Sequence, residues 1–290
     1  MAEPSGDLPT FDTRVDPYLG TTVHVVKSRQ SRPNLPSRGC PFCVGGLEAP
    51  EPYEVKAFPN RWPALGEGRC EVVLYTPDHD ATLASIGVAG ARRVIDLWAE
   101  RTKQLLALPG VEFVLVFENR GPEVGATIAH PHGQIYAFDH VPNRPLRRLE
   151  AGWRPDPAPG DRLVIARRGW RVWMQEAPVY PIALSIAPDT EIGDLPGVSD
   201  AQRDALADVI VDLFARLDRL YGQPLPYMMW IYQAPRSSTG EVSPWLNIEI
   251  VSPWRSAGVQ RFVAAAELAT EEYFNPVDPS DVATRLRELA

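Results

Sequence analysis

Gly125-Ala126-Thr127-Ile128-Ala129-His130-Pro131-His132-Gly133-Gln134-Ile135-Tyr136-Ala137-Phe138 is the stretch on which the reading of this chain turns. Its second half predicts a strand over 134–138, so the two histidines stand where an extended segment begins. Side chains at i and i+2 of an extended chain share a face, which sets the two imidazoles side by side. A neutral imidazole can attack phosphorus and hold a covalent intermediate, splitting one displacement into two. Either His130 or His132 can serve on this reasoning. Gly133 removes a side chain where a phosphate must come close. Gln134 can donate a hydrogen bond to a charged phosphoryl oxygen.

Working outward, thirty prolines and 21 glycines break the chain into short elements. Apolar residues recur at helical spacing over 90–108 (Val94, Leu97, Trp98, Leu105, Leu106) and 200–221 (Leu206, Ile210, Leu213, Leu217, Leu220), which predicts two amphipathic helices. Ser199 is the expected cap of the second, and a third helix is expected over 260–272. Short runs rich in β-branched and aromatic residues predict strands over 22–26, 71–75, 111–118, 134–138, 162–166, 170–175, 183–188, 228–233 and 246–251. The order of elements repeats weakly between the two halves. The Pro-rich stretch 154–160 is the natural divider. We therefore expect two domains, 1–153 and 161–290.

Composition bounds the function. The 290 residues are 44% hydrophobic, enough for a sizeable core. Thirty-seven acidic residues against 29 basic ones give a net charge of -8, which argues against a nucleic-acid binder. No apolar run approaches the roughly 20 residues of a membrane span. Residues 1–10 lack the layout of a signal peptide, so no membrane association and a cytoplasmic location are expected. Two of the three cysteines form Cys40-Pro41-Phe42-Cys43. In a cytoplasmic chain that spacing points to metal or redox chemistry rather than a disulfide. It supplies half of a tetrahedral zinc site, and two of the five histidines would have to complete it. Cys70 has no partner and reads as a core thiol.

Glu118-Asn119-Arg120-Gly121, Gly125 and His130-Pro-His132-Gly-Gln134 together resemble the active-site stretch of the galactose-1-phosphate uridylyltransferase family, a branch of the histidine-triad superfamily. The resemblance implies that His132 is the residue nucleotidylated, with Gln134 at the third triad position. It implies a zinc ion on Cys40, Cys43, His79 of Pro77-Asp78-His79, and His130, in a positioning rather than a Lewis-acid role. Ser28-Arg29-Gln30-Ser31-Arg32-Pro33 resembles the family's Arg-x-x-Arg-Pro segment. Two arginines so spaced suit a diphosphate. Phe58-Pro59-Asn60-Arg61 resembles a stretch near the nucleoside, which puts Asn60 among the binding residues. Asn119 and Thr127 match positions that bind the nucleotide. Arg261, where the family often has Lys, is expected at the hexose phosphate. Glu267 is expected at the sugar hydroxyls.

The resemblance is dense from Ser28 to Phe138 and thin beyond. Many members carry a second metal in the C-terminal half, with histidines where this chain has Tyr232 and Asn247. No histidine follows His140, so a second His-rich site cannot form, and core polar contacts are expected instead. Glu249 is retained as a possible ligand. Ala266 and Tyr273 replace residues common around the hexose, which makes galactose 1-phosphate an expected poor acceptor.

The resemblance implies an α+β fold of two tandem histidine-triad-like halves, with largely antiparallel sheets and packed helices, in a homodimer. The expected reaction moves a nucleoside monophosphate, UMP by resemblance, between a UDP-sugar or other nucleoside diphosphate sugar and a sugar 1-phosphate, through nucleotidyl-His132. Two alternatives stand beside it. One is a phosphorylase or hydrolase of the same superfamily, with phosphate or water as acceptor. The other is a catalytically retired, zinc-stabilised nucleotide-binding module.

Overall fold

The computed structural model describes residues 11–31, 39–66, 68–238 and 244–290. Along the chain run β1 (Phe11–Val15), β2 (Thr22–Val26), β3 (Lys56–Pro59), β4 (Cys70–Leu74), α1 (Gly87–Leu106), β5 (Phe113–Arg120), β6 (His132–Phe138) and α2 (Asn143–Glu150). They are followed by β7 (Leu163–Arg167), β8 (Trp170–Met174), β9 (Ile182–Pro188), α3 (Asp200–Leu220), β10 (Tyr227–Tyr232) and β11 (Asn247–Ser252). The last elements are β12 (Trp254–Ser256), β13 (Val259–Gln260), α4 (Ala265–Thr270) and α5 (Pro279–Glu288).

Nine strands form one sheet in the order β3-β4-β6-β5-β10-β11-β9-β8-β7. Every neighbouring pair is antiparallel. Within it β3–β6 make one side and β7–β11 the other, while β1–β2 and β12–β13 form separate two-stranded ribbons. The two sides join where β5 pairs β10, Asn119 opposite Met228 and Glu118 opposite Met229. Expected and observed architecture agree in class: a mixed α and β fold on a large antiparallel sheet.

The two long helices explain which face is core. α1 and α3 pack against each other on one face of the sheet. Their apolar stripes, including Val94, Ile95, Trp98, Leu206, Ile210, Leu213 and Leu217, are buried against Val116, Ile135, Met229, Ile231 and Ile248. Ser199 starts α3 as expected, its amide donating to Gln202 Oε1 at 3.0 Å. β6 alternates: Gly133, Ile135 and Ala137 are buried toward the helices, while His132, Gln134, Tyr136 and Phe138 take the opposite face. A strand covered on one side only has to alternate in this way.

Several expectations shift. The helix expected over 260–272 is only the short α4, preceded by the β12–β13 hairpin, because the backbone turns at Gly258 with φ +68°. Glu267 accepts from the Ala264 amide at 2.6 Å and so starts the helix late, and Glu271 in the left-handed region ends it. The divider 154–160 is tied down: Asp156 accepts from Arg162 at 2.7 Å, and its carbonyl accepts from Arg171 at 2.8 Å. α2 buries no residue of its own and so carries no apolar periodicity to read. α5 starts with an ordinary signal, Asp278 accepting from the Ser280 amide at 2.8 Å with Pro279 in the first turn.

Candidate active site and metal centre

The uncovered face of β6 carries the candidate residues His132 and Gln134, and each has a hydrogen-bond partner that fixes its state. His132 Nδ1 lies 2.8 Å from the His130 carbonyl. A carbonyl only accepts, so Nδ1 holds the proton and the lone pair sits on Nε2. That is the tautomer a nucleophilic imidazole needs. The ring is braced by Phe42, 5.0 Å away between centroids at 60°. Gln134 follows on the same face. The Trp62 amide donates to Asn60 Oδ1 at 2.9 Å, which orients the Asn60 amide so that its Nδ2 donates to Gln134 Oε1 at 3.1 Å. Gln134 therefore presents its NH2, the donor end, toward anything bound beside His132. Asn60 is placed to set the direction of Gln134.

Asn119 shares the face of Phe117, which pairs with Gln134 across the strands. Its amide donates to the Val124 carbonyl at 2.8 Å and clips the 122–124 turn onto β5. Thr127 lies in the extended chain between that turn and His130. Arg29 sits half-exposed on a short 3-10 helix, Lys27–Ser31, where its charge reaches the buried Cys70 thiol. Arg32 lies outside the described residues. Arg261 and Glu267 are both buried and paired with each other. Glu267 also accepts from the Ala264 and Phe274 amides, at 2.6 and 2.8 Å. The Arg261 amide in turn donates to the Pro253 carbonyl at 2.7 Å.

Gly133 gains a different reason from the expected one. It points away from the His132 face, and a Cβ there would overlap the Tyr75 hydroxyl and lie 3.1 Å from the Phe117 carbonyl. The close approach is to the core, where no phosphate comes.

Cys40, Cys43, His79 and His130 converge, with all four ligand atoms within 4.8 Å of one another. Cys43 Sγ lies 3.5 Å from His79 Nδ1 and 3.6 Å from His130 Nδ1. A tetrahedral zinc with Zn–S of 2.3 Å and Zn–N of 2.0–2.1 Å sets sulfur and nitrogen about 3.6 Å apart. The donor set thus fits the ion. His130 Nε2 donates to the Thr76 carbonyl at 2.8 Å, which leaves Nδ1 as the ligating atom and supplies the outer contact such histidines use. Burial lowers the His130 pKa, favouring the neutral ligand form. Burial, then the neighbouring Cys40, raise the Cys43 thiol, a penalty on the thiolate that a dication would reverse.

Sequence reasoning missed Tyr53 and Gly46 here. Tyr53 donates to the Phe42 carbonyl at 2.7 Å and lies 3.0 Å from His130 Nε2. Gly46 packs so closely under the knuckle that a Cβ would sit 2.6–2.8 Å from three of its carbonyls. The Gly45-Gly46 pair after Cys43 was a readable signal for the second. Nothing local marks Tyr53.

In the C-terminal half, the Glu249 carboxylate meets two arginines. Glu249 is buried and forms ion pairs with Arg148 Nη1 at 2.8 Å and Arg144 Nη2 at 3.5 Å. Arg148 also lies over the Tyr232 ring, 4.7 Å from its centroid. Glu249 is thus paired with guanidinium charge from α2.

Glu118 is the outlier among the carboxyls. It lies on the helix face, fully covered, and accepts from the Tyr227 hydroxyl at 2.6 Å. Burial pushes its pKa up to about 7 against the opposing pull of Tyr227 and Arg120. The folded chain therefore holds a proton that the unfolded chain releases near pH 4.5. This contribution is whole below pH 4.5 and lost as pH rises to about 7. We expect the protein to lose about 2–3 kcal/mol of stability between pH 5 and pH 8 from this group, and Glu118→Gln to lack that loss. Urea denaturation at both pH values checks it; equal losses in the two proteins would refute the assignment.

Residues 54–142 match the family model described as galactose-1-phosphate uridyl transferase, N-terminal domain. The chain is 32% identical to galactose-1-phosphate uridylyltransferase of Thermotoga maritima, over 96% of this chain and 98% of that protein. It is 33% identical to the Streptomyces lividans protein of the same name, over 97% and 88%. A solved uridylyltransferase structure superposes with a TM-score of 0.84 at 25% identity, covering 96% of this chain and 97% of that one.

Proposed function

The chain belongs to the galactose-1-phosphate uridylyltransferase family, and on that basis we propose that it transfers UMP from a UDP-sugar to a sugar 1-phosphate through a covalent uridylyl-His132. The observation that carries the mechanism is the bond from His132 Nδ1 to the His130 carbonyl, which commits the lone pair to Nε2. In the first step Nε2 bonds the α-phosphorus as the bridging P–O bond breaks. The electron pair leaves on the β-phosphate oxygen of the departing sugar 1-phosphate. In the second step an oxygen of the incoming sugar 1-phosphate attacks the same phosphorus, and the P–N bond breaks back to Nε2. Gln134, aimed by Asn60, donates to a non-bridging oxygen whose charge grows in both transition states. Asn119 and Thr127 would hold the nucleotide, and Arg29 and Arg32 the diphosphate charge.

We assign zinc to Cys40, Cys43, His79 and His130. When bound it supplies a fixed tetrahedral anchor, holding the Cys40–Cys43 knuckle against the start of β6. Residues 1–153 are read as the half with metal and nucleophile, and 161–290 as the half that completes the acceptor end through Arg261 and Glu267. A second copy of the chain is proposed to share in that end. The support is exposed apolar surface around the Arg261–Glu267 pair, on Phe262, Leu268 and Phe274, and on Tyr18 and Leu19 of the β1–β2 hairpin. No helix among the described residues is long and apolar enough to cross a membrane, which is compatible with the proposed cytoplasmic location.

Ala266 and Tyr273 are both exposed. The cost of a lost buried hydrogen bond, on which weak use of galactose 1-phosphate was expected, therefore does not apply within one chain. We take galactose 1-phosphate as the acceptor. Incubation with labelled UDP-glucose should leave acid-labile label on His132. Discharge by galactose 1-phosphate should exceed discharge by inorganic phosphate or water by at least about tenfold, a difference of about 1.4 kcal/mol in barrier. Faster discharge by phosphate would make the protein a phosphorylase, and no label would mark a retired binding module.

A further inference from the structure

The residue between His132 and Gln134 faces the core, and what it meets there is unusual. Tyr75, just past the end of β4, is buried, and its hydroxyl rests where a side chain at Gly133 would begin. Its ring stands edge-on to Trp98 of α1, 5.7 Å between centroids. Beyond it lies the Glu118 carboxyl, anchored by Tyr227. Tyr75 Oη, Trp98 Nε1 and Glu118 Oε2 are all buried against one another, and none of these contacts is a well-aligned hydrogen bond. Keeping such groups out of water is expensive. Phenylalanine at 75 would fill the same space without that penalty. The hydroxyl is also the atom in contact with the nucleophile strand.

We propose that Tyr75 is a positioning residue for nucleotidyl transfer: its hydroxyl, backed by Trp98 and Glu118, fixes the backbone at Gly133 and so the placement of His132 relative to Gln134. The two side chains act on one phosphorus from either side of this glycine. A shift of the strand there moves nucleophile and donor against each other. Gly133 and Tyr75 form a matched pair, small on one side because the other is large. The inference rests on the covalent His132 mechanism proposed above.

Single-turnover formation of nucleotidyl-His132 from labelled UDP-glucose tests it in four proteins: wild type, Tyr75→Phe, Gly133→Ala and the double variant. Misplacing a reacting group by about 1 Å can cost on the order of 10²-fold in rate. Tyr75→Phe should slow the step about tenfold with KM for the nucleotide sugar unchanged within about twofold, and with an equal or higher melting temperature. Gly133→Ala should slow it about 100-fold, and adding Tyr75→Phe should recover about tenfold of that, because the overlap is with the hydroxyl. A purely structural tyrosine would move melting temperature and leave the rate per folded molecule alone. A Tyr75→Phe rate within about twofold of wild type overturns the proposal, whether or not Gly133→Ala folds. So does a double variant no faster than Gly133→Ala. Wild type forming no label on His132 would instead sink the mechanism itself, and this inference with it.

Discussion

Replacing His132 with glycine is expected to lower kcat roughly 10⁴-fold or more, because the proposed mechanism makes this side chain the reagent that splits the displacement into two steps. The fold should hardly notice. His132 is partly exposed on the face of β6 away from the helices, so its side chain fills no part of the helix-covered core. A change within about 1 kcal/mol in stability is expected at such a site. Both halves of the reaction should fail together, since each breaks or makes the bond to Nε2. Steady-state turnover, uptake of label from UDP-glucose and the melting temperature measured on one preparation decide the matter. Turnover within tenfold of wild type, with the fold intact, would remove His132 from its role.

Loss of the metal is expected to act the other way round, on stability first. Purified without chelator, the protein should carry zinc equimolar with the chain. Cys43→Ser leaves an incomplete ligand set in a region whose own apolar cluster is small: Phe42, Ala49, Val72 and Leu74. Structural zinc sites can contribute about 10–16 kcal/mol of apparent binding energy to folding in small domains. Here only the local part of that is at stake. A loss of about 4 kcal/mol corresponds to a fall in melting temperature of roughly 10 °C in a chain of this size. Chemistry should change less, by under about tenfold at temperatures where the variant stays folded. The influence on His132 is indirect: the knuckle carries Phe42, which braces the ring, and His130 supplies the carbonyl that sets its tautomer. Metal analysis and calorimetry with and without chelator check this. Absence of metal together with an unchanged melting temperature would dismiss the zinc assignment.

Much of the site could be read from local sequence because its chemistry is local. His130 and His132 are two apart on one strand, Cys40 and Cys43 three apart in one turn, and spacing alone puts each pair together. The long helices were legible for the same reason: α1 and α3 bury apolar stripes that repeat at the helical period. The weaker elements were not. α2 holds itself to the sheet through Arg144 and Arg148 on Glu249, an attraction between residues about a hundred positions apart that leaves no periodic trace. The helix expected over 260–272 failed because a side chain, Glu267, captures backbone amides of its own segment and shortens it.

Residue types and spacing were therefore enough to pair two candidate histidines on one strand, to offer half of a metal site in Cys40 and Cys43, and to mark two main helices among short strands; the choice of His132, the full Cys2His2 set and the antiparallel fold came from the family resemblance. Which His132 nitrogen carries the proton, which way the Gln134 amide points, and why position 133 is glycine depend on partners brought together by the fold. The carbonyl of His130 is local, but its position rests on Thr76 and Tyr53. Gln134 answers to Asn60 and Trp62. Gly133 answers to Tyr75 across the strand pairing. Proton positions and amide directions are set by whichever group lies within about 3 Å, and only folding brings those groups within that distance.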